Sequence, residues 1–228
     1  LERSLPSAID QAFKRFEVIV VDDCSTDGTK EALETYIKRD GVRYVRHEVN
    51  KGLAAARNTG AREARYEYVV FLDDDDALPL DYLEATVPIL FNDKNLDAVS
   101  GRRMVIYPER KIYDSLPKLD SLYVSMDDGV LFRKEVFERI QYDENLLTNE
   151  DADFGIQFRQ ADLTLKLIDH LTLYKYGHET NSLDSWSSAS DRTIKGMEMF
   201  FNKHKSLYEQ ADKKEFAYIL RMLGRLSM

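Results

Sequence analysis

The sequence is poor in the residues on which disulfide-bonded, membrane-spanning and nucleic-acid-binding proteins depend. Its single cysteine, Cys24, excludes an internal disulfide and a zinc site built from several cysteines. The longest apolar runs, such as 18–21, fall far below the ~18 residues that a membrane span needs. The chain has 41 acidic residues against 32 basic ones, whereas general nucleic-acid binding requires a basic surplus. We therefore expect no nucleic-acid partner.

What the sequence does contain indicates a folded core. Apolar residues make up 43% of the 228 residues and aromatic residues 11%, which argues against disorder. The length suits one mixed α/β domain with an appended subdomain. No signal peptide opens the chain, so we expect a cytoplasmic protein.

The charge is distributed unevenly along the chain. Residues 191–228 hold eight Lys and Arg against five Asp and Glu, so this tail carries +3 and the remainder −12 of the net −9. Within the remainder, residues 73–76 are four consecutive aspartates. Such a run is usually a solvated turn, and the neighbouring sequence decides whether it has a further function.

Strand and helix signals alternate over roughly the first 95 residues. Apolar runs rich in Val and Ile predict strands buried on both faces of a sheet, and cap residues or proline precede the helical patterns. The predicted strands cover 16–21, 42–45 and 68–72, and the predicted helices begin near Ser25, Gly52 and Pro79. This order predicts an α/β, doubly wound fold with a mostly parallel sheet flanked by helices.

The pattern changes after residue 95. Residues 96–107 predict a long strand, a helix begins near Asp151, and two strand-like runs follow at 163–168 and 171–176. From residue 190 onward, the apolar spacing predicts two amphipathic helices.

Two acidic clusters directly follow predicted strands. Asp22 and Asp23 end the first strand, and the aspartates 73–76 end the third. Ligands of such sheets bind beyond the carboxyl ends of the strands, so both clusters should lie on the ligand-binding edge. Clustered carboxylates there suit a hard cation, Mg²⁺ or Mn²⁺, that also holds a diphosphate. The alternative is that both acidic clusters are ordinary solvent-exposed turns.

Four segments, in order, resemble the motifs of the family 2 glycosyltransferases with the GT-A fold. They are EVIVVDDCSTDGT (17–29), NKGLAAARNTGAREA (50–64), YVVFLDDDDALPLDYLE (68–84) and TNEDADFGIQFRQ (148–160). The first three contain D-D-x-S-x-D, N-x-G-x-x-x-A-R-N and L-D-x-D-D, and the fourth is similar to the family's acceptor-side E-D segment. The resemblance covers about residues 5–180, and the order of the motifs makes it specific.

The resemblance implies a role for each matched residue on the donor side. Asp22 and Asp23 would lie near the base and ribose of a nucleoside diphosphate sugar, and Arg57 would reach the nucleotide. Asp73 would approach the ribose. Asp75 would be the main ligand of a Mn²⁺ or Mg²⁺ ion, assisted by Asp76 or Asp74.

On the acceptor side, the resemblance implies that Asp151 is the catalytic base, with Glu150 as its rival or as an acceptor contact. An inverting transfer needs one carboxylate to take the proton of the attacking hydroxyl. The alternative is that these acids only cap a helix and complement its dipole. His178 would be an additional metal ligand, and Lys175 could touch phosphate.

The implied function is the metal-dependent, inverting transfer of a sugar from a nucleotide-sugar donor, with UDP as the commonest nucleotide, to an acceptor hydroxyl. The acceptor would be a glycan or a lipid-linked sugar in polysaccharide synthesis. We accordingly divide the chain into a nucleotide-sugar-binding half (1–95), an acceptor-binding half (96–189) and a helical extension (190–228).

One departure from the family keeps alternatives open. Family members normally begin with a strand before the helix that 1–13 matches, and this chain lacks that strand, so we expect weak donor binding. A nucleotidyltransferase and a non-catalytic nucleotide-binding module are the alternative functions. For the tail, we expect its helices to pack against the acceptor side; the alternative is docking on the inner face of an anionic membrane.

Overall fold

The computed structural model describes residues 1–108, 110–113, 126, 128–177 and 191–210. Its first half alternates helices and strands, as the sequence predicts. The elements are α1 (Ser4–Ile9), β1 (Val18–Asp22), α2 (Thr29–Ile37), β2 (Val42–Arg46), α3 (Leu53–Glu63), β3 (Tyr68–Val70) and α4 (Tyr82–Asn92).

The second half begins with three strands and then adds helices and a long final strand. The elements are β4 (Ala98–Tyr107), β5 (Arg110–Tyr113), β6 (Leu131–Arg133), α5 (Val136–Arg139), α6 (Glu150–Gln160), β7 (Leu165–Tyr176) and α7 (Asp191–Gln210). The two strand-like runs predicted at 163–168 and 171–176 are one strand, β7. Its register against β4 shifts near Gly101, where a Cβ atom would lie 2.3 Å from the carbonyl oxygen of His170. The irregularity therefore falls where only glycine fits.

The strands form two sheets. β1 and β2 pair in parallel, as expected for strands joined by a crossover helix. The second sheet has the order β3-β6-β4-β5, with β7 pairing with β4. This sheet is mixed: β4 pairs in parallel with β7, and the β3–β6, β6–β4 and β4–β5 pairs are antiparallel. β5 begins three residues after β4 ends, too short a connection for the crossover that a parallel pair requires.

A cluster of aromatic side chains fills the core between the second sheet and α6. The rings of Tyr142 and Phe154 stack with centroids 4.3 Å apart, and Phe132 meets Phe154 edge to face at 5.7 Å. Phe71, just after β3, contacts Tyr142 at 5.6 Å. The ring contacts therefore fix α6 against the strand that leads into the four aspartates.

The tail helix α7 packs against α6. Ala152 and Ile156 of α6 form a buried cluster with Phe200 and Tyr208 of α7. The first predicted tail helix is thus observed as α7, and the second lies outside the described residues. No helix in the described part of the chain is long and apolar enough to cross a membrane. Because the apolar stripe of α7 is used for packing, membrane docking through the tail stays a prediction without support from this helix.

Candidate active site

A cavity of about 510 Å³ opens between the start of α3, the end of β3 and the start of α6. The family-like segments that contribute to it lie far apart in the sequence. Its lining residues are Asn50, Lys51, Gly52, Leu53, Ala54, Arg57, Asp73, Glu144, Leu146, Leu147, Thr148, Asn149, Glu150, Asp151 and Arg192. The second, third and fourth family-like segments therefore meet around one cavity.

Arg57 joins the two sides of this cavity. Its side chain is only 5% exposed, and its guanidinium donates to Glu150 Oε1 at 2.9 Å and to Asp73 Oδ1 at 3.0 Å. The guanidinium also lies over the ring of Tyr142, 5.4 Å from its centroid. Burial by itself lowers the pKa of Arg57, but Tyr142, Asp73, Asp128 and Glu150 raise it well above its ordinary value. Arg57 is therefore a fixed cation in the cavity wall.

Glu150 and Asp151 begin α6, where their charges complement the helix dipole, as the alternative interpretation requires. The preceding Asn149 has a left-handed backbone, with φ 61°, and its side chain makes no capping hydrogen bond. Burial and the neighbouring charge of Asp151 raise the pKa of Glu150, and Arg57 opposes this effect. Glu150 is thus held by Arg57. Asp151 also lines the cavity.

The Asp22 carboxylate is held by hydrogen bonds and an ion pair with residues of β2 and of the turn after β1. This buried carboxylate accepts hydrogen bonds from the Ser25 backbone N–H at 2.7 Å and the Tyr44 hydroxyl at 2.5 Å, and it pairs with Arg46. Burial raises the pKa of Asp22, but the hydrogen bonds from Tyr44, Ser25 and Arg46 outweigh it and lower the pKa to about 2. Asp22 therefore fixes the turn after β1, and its contact with a base or ribose stays a prediction.

Asp23 holds the loop that forms one wall of the cavity. Its carboxylate accepts hydrogen bonds from the backbone N–H groups of Lys51 at 2.8 Å and Gly52 at 2.6 Å. His47 Nδ1 lies 2.6 Å away from it, and His47 Nε2 lies 3.0 Å from the Thr59 hydroxyl. Burial raises the pKa of Asp23, and the hydrogen bonds from His47, Lys51 and Gly52 lower it by more. Gly52 has φ +91°, a conformation that favours glycine at this helix start.

Three carboxylates meet at the sheet edge beyond β3. One oxygen each of Asp73, Asp76 and Asp128 lies within 4.8 Å of the other two. Asp128 Oδ1 accepts the backbone N–H of Asp73 at 3.0 Å. Lys175 Nζ approaches Asp76 Oδ2 at 3.3 Å and Asp128 Oδ2 at 3.8 Å. Asp76 and Asp128 are almost fully buried, and Asp73 reaches the cavity.

Sequence reasoning missed Asp128. The pair Asp127-Asp128 precedes a Gly and an apolar strand, and this arrangement was the available signal. β6 runs antiparallel to β3, so the start of β6 lies beside the end of β3, and Asp128 meets Asp73. Burial raises the pKa of Asp76, while the Tyr176 N–H and Lys175 oppose it.

The other predicted metal ligands lie elsewhere or outside the described residues. Asp74 is exposed, and its backbone carbonyl accepts the amino group of Leu1 at 2.7 Å and the hydroxyl of Ser4 at 3.0 Å. Asp75 is not part of the three-carboxylate group. Its role as main ligand stays a prediction. His178 lies outside the described residues. Among the described residues, the Cys24 thiol makes one long contact, 3.5 Å, to the carbonyl of Glu48.

The sequence model described as glycosyl transferase family 2 matches residues 1–162, more than two thirds of the chain. The chain belongs to glycosyltransferase family 2. It is 30% identical over 204 residues to the uncharacterized glycosyltransferase EpsJ of Bacillus subtilis, covering 80% of this chain and 58% of EpsJ. It is also 30% identical over 205 residues to the putative teichuronic acid biosynthesis glycosyltransferase TuaG of the same organism, covering 83% of this chain and 79% of TuaG. The chain thus spans little more than half of EpsJ.

Solved structures confirm the GT-A fold of this family member. S. aureus TarS (residues 1–349) in complex with UDP-GlcNAc matches with a TM-score of 0.69 at 22% identity, over 98% of this chain and 66% of that structure. The mannosyltransferase PcManGT from Pyrobaculum calidifontis, in complex with GDP-Man and Mn²⁺, matches with a TM-score of 0.64 at 20% identity, over 98% of this chain and 64% of that structure.

Proposed function

We propose that this family 2 member transfers a sugar from a nucleotide diphosphate donor to an acceptor hydroxyl during polysaccharide synthesis. The observation that carries the proposal is the single cavity in which Arg57 connects Asp73 to Glu150, with Asp151 on the same wall. Asp73, on the proposed donor side, and Asp151, the proposed base for the acceptor hydroxyl, thereby line the same cavity. The UDP-GlcNAc and GDP-Man bound by the structural neighbours support a nucleotide-sugar donor.

Asp151 is the proposed catalytic base. The acceptor oxygen would form a bond to the anomeric carbon as its proton passes to Asp151, and the bond from that carbon to the diphosphate would break with its electron pair leaving on the phosphate oxygen. Attack opposite the leaving group inverts the anomeric configuration. Glu150 is less suited to this role because its carboxylate is engaged by the Arg57 guanidinium, 2.9 Å away.

One nitrogen of the Arg57 guanidinium, Nε, is left without a partner in the described part of the chain. This Nε–H is buried. An unsatisfied buried donor costs about 1–3 kcal/mol, and a bound oxygen would recover that free energy. We propose that a donor oxygen satisfies it, in line with the predicted contact between Arg57 and the nucleotide.

The carboxylates beyond β3 fit a divalent cation. Asp73, Asp76 and Asp128 offer three hard oxygen ligands, the type that Mg²⁺ and Mn²⁺ prefer. The ion would supply positive charge to the departing diphosphate. We propose Asp73, Asp76 and Asp128 as its ligands, and the role of Asp75 as main ligand stays a prediction. Lys175 already neutralises part of the charge of Asp76 and Asp128.

Calorimetric titration with Mn²⁺ tests the metal site. Asp73→Asn and Asp128→Asn should each weaken Mn²⁺ binding about 10-fold or more. Asp40→Asn makes the same charge change at an exposed residue outside the cavity lining, and it should leave the affinity unchanged. Equal affinities for all four proteins would contradict the assignment of the ion to this cluster.

Nucleotide release tests the reaction itself. Incubation with Mn²⁺ and either UDP-GlcNAc or GDP-Man should release the nucleoside diphosphate slowly, through transfer of the sugar to water. Release of pyrophosphate from a nucleoside triphosphate and a sugar phosphate would instead indicate a nucleotidyltransferase. Binding of both donors without turnover would favour the non-catalytic module.

A further inference from the structure

The tail helix α7 follows the family-matched residues 1–162 and still contributes to the cavity. Its contribution is Arg192, in the first turn of α7. The Arg192 side chain is exposed, and it makes no hydrogen bond or ion pair within the described ranges of the chain. Arg57, by comparison, is already bound to Asp73 and Glu150.

A buried ionic network fixes α7 to the helix that carries the proposed base. The fully buried Asp153 of α6 accepts hydrogen bonds at Oδ1 from His204 Nε2, 2.7 Å away, and from Lys203 Nζ, 2.8 Å away. Lys203 Nζ also lies 2.6 Å from Asp143 Oδ2. Burial raises the pKa of Asp153, but the hydrogen bonds from His204 and Lys203 lower it by more. The network keeps the position of α7 constant relative to the start of α6.

Gly196 brings α7 close to Leu147 and Thr148, two cavity-lining residues just before α6. A Cβ atom at Gly196 would lie 2.5 Å from Thr148 Oγ1 and 3.0 Å from Thr148 N, so only glycine permits this approach. Arg192 lies four residues earlier and therefore one turn along the same helix face. Arg192 lines the cavity together with residues 146–151, the segment that carries the proposed base Asp151.

We propose that Arg192 binds an anionic group, a phosphate or a carboxylate, on the acceptor. The inference rests on the proposed function, in which Asp151 takes the proton of that acceptor. A guanidinium pairs with either anion through two parallel N–H donors, which suits an exposed Arg on a fixed helix. The acceptor class would then be set by a helix outside the family-matched residues.

Acceptor kinetics of the whole chain test the proposal. Wild type, Arg192→Gln and the control Lys195→Gln, another exposed cation of α7 outside the cavity lining, are compared with sugar acceptors that carry a phosphate, a carboxylate or neither. Arg192→Gln should raise KM for the preferred anionic acceptor about 10-fold to 100-fold. Neutral-acceptor kinetics and donor hydrolysis should not change, and Arg192→Lys should restore part of the affinity. The more affected anion identifies the group that is bound.

Other results would overturn the inference. An equal loss with charged and neutral acceptors would show that Arg192 does not recognise the anionic group, and a raised donor KM in hydrolysis would place Arg192 on the donor side. Unchanged kinetics in Arg192→Gln would also contradict it while leaving the proposed function intact. A wild type that releases no nucleotide from any donor would contradict the proposed function and this inference together.

Discussion

Replacing Arg57 by alanine should destabilise the fold, because two carboxylates of the cavity wall lose their shared cation. Removing one partner of a buried ion pair costs about 3–5 kcal/mol. The side chain of Asp73 is 28% exposed, so water offsets part of its loss, whereas Glu150 is 14% exposed. We therefore expect a loss of about 2–4 kcal/mol in the free energy of unfolding, which corresponds to a Tm lower by about 5–15 °C.

Arg43→Ala is a matched control for this measurement. Arg43 also bridges two carboxylates, Glu17 at 3.2 Å and Glu63 at 2.8 Å. Its side chain is 26% exposed, against 5% for Arg57, and Glu17 and Glu63 are 10% and 37% exposed. Exposed ion pairs contribute about 0–1 kcal/mol each. In urea unfolding followed by circular dichroism, Arg43→Ala should therefore lose at most about 2 kcal/mol, less than Arg57→Ala.

Two further variants separate the charge of Arg57 from its geometry. Arg57→Lys retains the charge, but one ammonium cannot reproduce the fork that reaches Asp73 and Glu150, so its stability should be intermediate. Adding Glu150→Gln to Arg57→Ala removes one uncompensated charge and should recover part of the loss. If Arg57→Ala were as stable as Arg43→Ala, the bridge would not be the structural centre of the site.

Two other predictions concern residues that shape the site and the sheet. The pKa of Asp22 is about 2, against 3.8 in an ordinary carboxyl. Ionised Asp22 therefore stabilises the fold by about 2 kcal/mol above pH ~4, and this contribution is lost as the pH falls through about 2. Acid unfolding curves of wild type and Asp22→Asn should differ by that amount near pH 5 and converge near pH 2; parallel curves would contradict the assignment. Gly101→Ala should cost about 1–3 kcal/mol in urea unfolding, because the new methyl group would lie 2.3 Å from the His170 carbonyl oxygen. Gly28→Ala, with no atom within 4 Å, is its control, and equal stability of the two variants would refute the close approach at Gly101.

The placement of the site could be predicted from the sequence because it depends on local signals. A buried strand that ends in acidic residues, such as β1 at Asp22, indicates a ligand-binding edge of the sheet even when the strand order is unknown. The Glu150-Asp151 pair likewise marks a helix start in its own segment.

The partners of these residues could not be predicted, because they depend on long-range pairing. Arg57 and Glu150 are 93 residues apart, and their contact exists only because the aromatic core fixes α6 against β3. Asp128 meets Asp73 only because β6 runs antiparallel to β3. The mixed second sheet itself departs from the mostly parallel expectation, since the sequence pattern carries strand positions but not strand order.

The most direct test is the rate of nucleotide release by Asp151→Asn. In the presence of Mn²⁺, a nucleotide sugar that wild type turns over, and an acceptor, the rate should fall about 10²-fold to 10⁴-fold. Tm should change by no more than about 4 °C, the effect of losing one charge at a helix start. Asp162→Asn makes the same change just beyond α6, at an exposed residue with φ 53°, a conformation that asparagine also adopts, and it should keep the wild-type rate. An Asp151→Asn variant that releases nucleotide at the wild-type rate would contradict the assignment of this cavity as the site of sugar transfer.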